Sequence, residues 1–213
     1  MLLYTLRRIN LLLITLLALT FVAYLLDYRL IGNQLSFWSG YPDFLRRIFA
    51  GDLGLSSVSG LPVLDEIRHY FPATLILCLA AFAISLLVGI PLGTLAALSQ
   101  GKTLDLSIMT AGLIGYAVPV FWLALLVVML FSLDLGWLPA SGQISLLYDV
   151  PPITGISVID VLLSNEPWRQ AALHDALRHL ILPSLVLAVV PTTEVIRHVR
   201  SSLIDVMKQN YIK

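Results

Sequence analysis

The sequence predicts an all-α integral membrane protein with about four transmembrane helices and two long outer connections. Three observations carry this. Hydrophobic residues make up 58% of the 213 and charged residues only 12%, against roughly half and a quarter in soluble domains. Mean hydropathy is +0.90. The apolar residues gather into four runs, 9–27, 72–99, 106–133 and 179–199, within one transmembrane domain covering 1–213. The short segments 1–8, 100–105 and 200–213 and the long segments 28–71 and 134–178 flank them.

The first run is free of charge from Ile9 to Leu26. Arg7 and Arg8 resemble the start of a signal peptide, but the run is long and no small-x-small cleavage site follows, so it reads as an uncleaved helix. The first long connection holds two amphipathic pieces. In Pro42–Phe49, Phe44, Leu45, Ile48 and Phe49 oppose Asp43, Arg46 and Arg47. In Pro62–Phe71, Val63, Leu64, Ile67 and Phe71 share a face against Asp65, Glu66 and Arg68. Such pieces either lie on the membrane surface or pack on the spanning helices.

The second run carries small residues at every fourth position: Ala81, Ser85, Gly89, Gly93 and Ala97. That ridge lets another helix approach closely, and Pro91 within it predicts a bend. Cys78 is the one cysteine, so neither an intrachain disulfide nor a cysteine-based metal site is available. Ala96–Thr103 nearly spells a phosphate-binding loop, but Ala96 stands where the first glycine is needed and the segment follows a membrane helix rather than a strand. Gly101 reads as the end of the helix.

The third run, with its exit, Leu113–Gly142, carries no charge before Asp134. Gly115, Tyr116, Pro119, Phe121 and Trp122 crowd its first third. Pro119 lacks an N–H, so the Gly115 carbonyl loses its helical partner at membrane depth. The stretch is either a spanning helix with a tolerated proline or a pathway wall. In the second long connection, helix-like pieces fall near Val158–Leu163 and Pro167–Leu177. His174, Asp175 and His179 there do not share one helical face, and read as solvated or interfacial rather than as a metal site. The fourth run is short and broken twice, at Pro183 and Pro191. Glu194 is the one acid placed near membrane depth. It is either an ion-pair partner of Arg197 and His198 at i+3 and i+4, or a substrate or proton site.

Basic residues are denser in the short segments (Arg7, Arg8, Lys102, Arg197, Arg200, Lys208, Lys213), which predicts that these face the cytoplasm. The second long connection is acidic, a weak attraction for cationic ligands. No basic patch supports nucleic-acid binding. No nucleophile elbow, zinc-protease motif, paired carboxylates or complete phosphate loop is present, so no catalytic residue is assigned. Three classes remain: a transporter subunit driven by a partner, a partner-independent channel or scaffold, and, ranked last, an intramembrane enzyme.

The order of motifs resembles the membrane subunit of bacterial dipeptide/oligopeptide ABC transporters. The resembling segments are Gly51-Asp52-Leu53-Gly54-Leu55-Ser56, Pro62-Val63, Phe71-Pro72-Ala73-Thr74-Leu75, Gly89-Ile90-Pro91-Leu92-Gly93 and Pro119-Val120-Phe121-Trp122. They continue with Leu135-Gly136-Trp137-Leu138-Pro139-Ala140-Ser141-Gly142, His179-Leu180-Ile181-Leu182-Pro183, Arg197-His198-Val199-Arg200-Ser201-Ser202-Leu203 and Asn210-Tyr211-Ile212-Lys213. Within that family the chain is most similar to the Sap-type peptide branch.

The resemblance implies a six-helix importer-type permease fold in the bacterial inner membrane, with the amino terminus cytoplasmic and the long connections periplasmic. It implies a second homologous membrane subunit, two cytoplasmic ATPase subunits and, often, a periplasmic solute-binding protein. ATP would act through those partners, with no cofactor or metal bound by this chain. Cargo would be peptides or small cationic solutes such as polyamines. Tyr116, Pro119, Phe121, Trp122 and Glu194 are the pathway candidates. Arg197, Arg200, Asn210, Tyr211, Ile212 and Lys213 lie on the approach to the ATPase-coupling loop. The family's docking glycine and last two spans would follow Lys213, so the sequence reads as truncated before the coupling loop.

Overall fold

The computed structural model describes residues 2–31 and 37–209. Apart from one bridge between Leu55 and Pro62, the regular structure of the described residues is helical. The helices are α1 (Leu2–Ile31), α2 (Phe37–Phe49), α3 (Val63–Leu98), α4 (Thr103–Ala117), α5 (Val120–Val128), α6 (Ser157–Leu163) and α7 (Arg169–Met207). A π-helical turn, Met129–Asp134, extends α5. The chain forms two compact units, Met1–Arg68 and His69–Lys213.

In the first unit the amphipathic face of α2 packs on α1. Tyr24 of α1 is fully buried, with ring centroids 5.5 Å from Tyr41 and 5.4 Å from Phe44. The Thr20 and Tyr41 hydroxyls lie 3.0 Å apart. Of the two placements open for this piece, packing on a neighbouring helix holds within the unit. The Pro62–Phe71 piece is no separate element. Pro62 accepts the first-turn N–H groups of Asp65 and Glu66, and the helix continues through Pro72 and Pro91 to Leu98. Asp65 and Glu66 suit the positive end of its dipole.

In the second unit α7 is the axis. It is one continuous helix of 39 residues, which corrects the expectation of a short fourth run broken at Pro183 and Pro191. Each proline removes a single N–H, and packing against α3, α4, α5 and α6 holds the rest of the helix in line. α7 also absorbs the expected separate piece at Pro167–Leu177; α6 matches the other piece.

The expected single third run is two helices meeting at 95°. Val118 is extended (φ −80°, ψ 125°), as a residue before proline tends to be. Pro119 follows at φ −59°, ψ 129°, so two consecutive residues leave the helical region and α5 starts in a new direction. α4 has 15 residues, about 22 Å at 1.5 Å each, short of the ~30 Å hydrocarbon core. The two halves and the turn after them nonetheless follow α7 from Arg200 to Arg178. Asp105 meets Arg200, Gly112 meets Thr193, Gly115 faces Val189, and Trp137 meets Arg178. Arg178 and Arg200 are about 33 Å apart along α7, one bilayer core. The broken pair therefore stays against α7 on both sides of the bend.

Candidate functional site

The site is built on three levels of α7. At the Arg200 level, a tight turn ends α3 with Gly101 at φ +76°, a conformation glycine reaches without the side-chain clash. The Gly101 N–H donates to Asp105 Oδ2 at 3.0 Å. Arg200 donates from Nε to Oδ1 at 2.6 Å and from its terminal nitrogen to Oδ2 at 2.7 Å. Asp105 is only 4% exposed. This is a two-pronged, charge-assisted clamp between the start of α4 and the far end of α7.

At the middle level, backbones approach closely. A methyl group on Gly89 would lie 2.7 Å from Val195 Cγ1, and one on Gly93 2.9 Å from the Ile196 carbonyl. Ser85 donates to the carbonyls of Ala81 (2.8 Å) and Ala188 (3.3 Å). All five residues of the ridge, Ala81, Ser85, Gly89, Gly93 and Ala97, are buried. On the α4 side, Thr193 shares its hydroxyl hydrogen between Val189 (3.1 Å) and Gly112 (3.3 Å). A cavity of about 340 Å³ opens here between α4 and α7, lined by Tyr116, Thr193 and Arg197 among apolar groups.

At the third level, the second long connection folds back on α7. Arg178 donates to the Trp137 carbonyl. Asp175 accepts the Ser145 N–H at 2.7 Å and the Ser145 hydroxyl at 2.9 Å. Asp160 holds Thr154 and Gly155 by three hydrogen bonds of 2.6–3.1 Å, which seats that loop beside Pro72 in the first part of α3. Two cavities of about 220 and 660 Å³ share Leu77, Gly142, His179 and Pro183 as walls.

The sequence-expected pathway residues fall at different levels. Tyr116 lines the cavity beside Arg197. Pro119 forms the break and is exposed. Phe121 lines the cavity of about 660 Å³, as does His179. Trp122 is 49% exposed and lines none of these cavities. Glu194 accepts from Arg197 at 3.0 Å and lies 4.0 Å from His198, the ion-pair arrangement. Asn210, Tyr211, Ile212 and Lys213 lie outside the described residues.

Two residues were read differently from the sequence. His179 is buried, not solvated, while His174 is exposed as expected. Asp105 was given no role, falling only at the end of the short segment 100–105. The available signal was a lone acid and a base in segments assigned to the same membrane face.

In this bundle α3 buries its small residues against α7, and the wall is broken by proline beside polar-edged cavities. The chain belongs to the family described as binding-protein-dependent transport system inner membrane component, which matches residues 89–213. It is a permease chain of an ABC transport system, not an enzyme.

Among its relatives, "Putrescine export system permease protein SapB" of Escherichia coli (strain K12) is 46% identical over 216 residues. "Peptide transport system permease protein SapB" of Salmonella typhimurium is 45% identical. Both alignments cover 100% of this chain and 67% of the relative. "Di/tripeptide transport system permease protein DppB" of Pseudomonas aeruginosa is 40% identical, covering 86% of this chain and 54% of the relative.

Proposed function

We propose that this chain forms one wall of a solute pathway through the bacterial inner membrane, beside a second homologous membrane subunit. Two cytoplasmic ATPase subunits drive it, and a periplasmic solute-binding protein serves the outer side. The amino terminus faces the cytoplasm, so the Asp105–Arg200 level is cytoplasmic and the His179 level is outer. The density of basic residues in the short segments supports that orientation. Peptides or small cationic solutes such as polyamines are the cargo, in keeping with the names of the SapB and DppB relatives. ATP acts through the partners, and this chain holds no cofactor of its own.

The observation that carries the reading is the 95° break at Val118–Pro119, where the wall changes direction between cavities lying to either side of it along α7. Co-purification with a second membrane subunit and ATPases, and solute-stimulated ATP turnover in the reconstituted complex, test it. Failure to find an ATPase partner, with solute flux through the chain alone and without ATP, would replace it by a partner-independent channel.

The break makes its own prediction. Replacing Pro119 by alanine restores an N–H and a helical option at an exposed position. Stability should change by about 1 kcal/mol or less, while ATP-driven transport should fall several-fold. Thermal unfolding and vesicle uptake measured on one preparation separate these, and an equal loss in both would return the stretch to a plain spanning helix.

A further inference from the structure

His179 stands apart among the polar groups of the outer cavities. Its side chain is only 5% exposed, yet its ring contributes to the walls of both cavities. Nδ1 lies 2.9 Å from the carbonyl oxygen of Asp175, one turn back on α7. A carbonyl can only accept, so in the neutral ring Nδ1 carries the hydrogen and Nε2 presents a lone pair. Among the described residues no group donates to that lone pair. The Cδ2 atom, next to Nε2 in the ring, lies towards Gly142, which lines both cavities; a methyl there would sit 3.9 Å from Cδ2.

The surroundings state what such an acceptor suits. Neither cavity is lined by Lys, Arg, Asp or Glu, so His179 is the one titratable side chain in either wall. Behind the ring, the Asp175 carboxylate lies 3.5 Å from Nδ1. It is held there by Ser145 and makes Nε2 a stronger acceptor, as a carboxylate behind a ligating imidazole does. The nearby cation, Arg178, is engaged by the Trp137 carbonyl. The remaining polar groups are neutral. Gln143 already accepts from the Ser157 N–H (3.3 Å) and hydroxyl (3.2 Å), and Thr74 donates to Tyr70 at 3.2 Å, which leaves lone pairs on both hydroxyls. An apolar pocket with a few convergent acceptors and a negative charge behind the strongest of them fits a cation that donates hydrogen bonds.

We propose that His179 is a binding residue of the outer cavities, its Nε2 accepting a hydrogen bond from a protonated amine of the transported solute. The identity of the solute rests on the transport reading above; the binding event does not. The test is nitrogen-15 histidine NMR on the full chain in lipid nanodiscs, with putrescine as the probe and succinate as the counter-probe. Putrescine should shift the acceptor nitrogen of one imidazole saturably, and that signal should vanish in His179→Gln. Succinate should leave it in place. His179→Ala should weaken putrescine binding about tenfold or more, the scale of a hydrogen bond to a charged group. His179→Gln, which retains an acceptor, should stay within about threefold.

A shift at His69, His174 or His198 instead, no saturable shift, or equal weakening by Ala and Gln would overturn the proposal. The NMR result on the unsubstituted chain decides the matter if His179→Ala does not fold. ATP-driven flux without the shift removes this site and leaves the transport reading; the shift without ATP-driven flux does the reverse.

Discussion

Arg200→Met is expected to lower the unfolding temperature of the detergent-solubilised chain by roughly 5–10 °C. The substitution keeps the apolar stem and removes the guanidinium. Asp105, 4% exposed, then keeps the Gly101 N–H at 3.0 Å as its one remaining partner. A carboxylate left buried with one donor costs more than the intact pair contributes. The effect is tempered because the Arg200 side chain is 27% exposed, so water can reach part of the vacated site. Arg200→Lys should fall between, since an ammonium cannot match both carboxylate oxygens as the fork does. The double variant Asp105→Leu with Arg200→Met should recover most of the loss by removing the orphaned charge. A double variant no more stable than Arg200→Met alone would show that the pair is not what holds these ends together.

The second large effect is expected on the small-residue ridge. Gly93→Ala should destabilise by about 1–3 kcal/mol, the range for overpacking a tight contact. The new methyl would lie 2.8 Å from Val199 Cβ and 2.9 Å from the Ile196 carbonyl oxygen. The carbonyl belongs to the backbone of α7 and cannot rotate away, so the helices must separate. Gly89→Ala meets chiefly the Val195 side chain, Cγ1 at 2.7 Å and Cβ at 2.8 Å, with the Thr192 carbonyl further off at 3.2 Å. Val195→Ala removes Cγ1 but keeps Cβ, so it should rescue part of Gly89→Ala, whereas Val199→Ala should rescue little of Gly93→Ala, where the backbone carbonyl remains. Denaturant or thermal unfolding of the four variants reads this directly. Equal rescue at both positions would mean that backbone approach does not set the spacing.

The ridge was readable in the sequence because its signal is local: five small residues at one helical spacing, within an uncharged run. The membrane class was readable for the same reason, since apolar length is a local quantity. Pro119 was legible as a weak point, but its geometry depends on Val118 and Pro119 both leaving the helical region. The opposite outcome at Pro183 and Pro191 shows why residue type alone does not decide: those prolines sit in a helix embraced on several sides. The Asp105–Arg200 clamp joins residues on different helices, and no periodicity connects them. His179 reads as a polar residue near a membrane end until the turn below it and the Gly142 loop enclose it. Tyr116 and Phe121, close in sequence, are directed to different cavities by the bend between them.

The length of α7 has a mechanical consequence. At 1.5 Å per residue its 39 residues extend about 58 Å. Its polar contact with α4 nearest mid-helix, at Thr193, lies off-centre, about 36 Å from Arg169 and about 21 Å from Met207 along the axis. A rigid helix turned by about 5° about that fulcrum carries Arg169 some 3 Å one way and Met207 roughly 2 Å the other. The two ends cannot swing to the same side. Whatever widens the gap at one mouth narrows it at the other, with the longer arm, and so the larger stroke, at the Arg169 end.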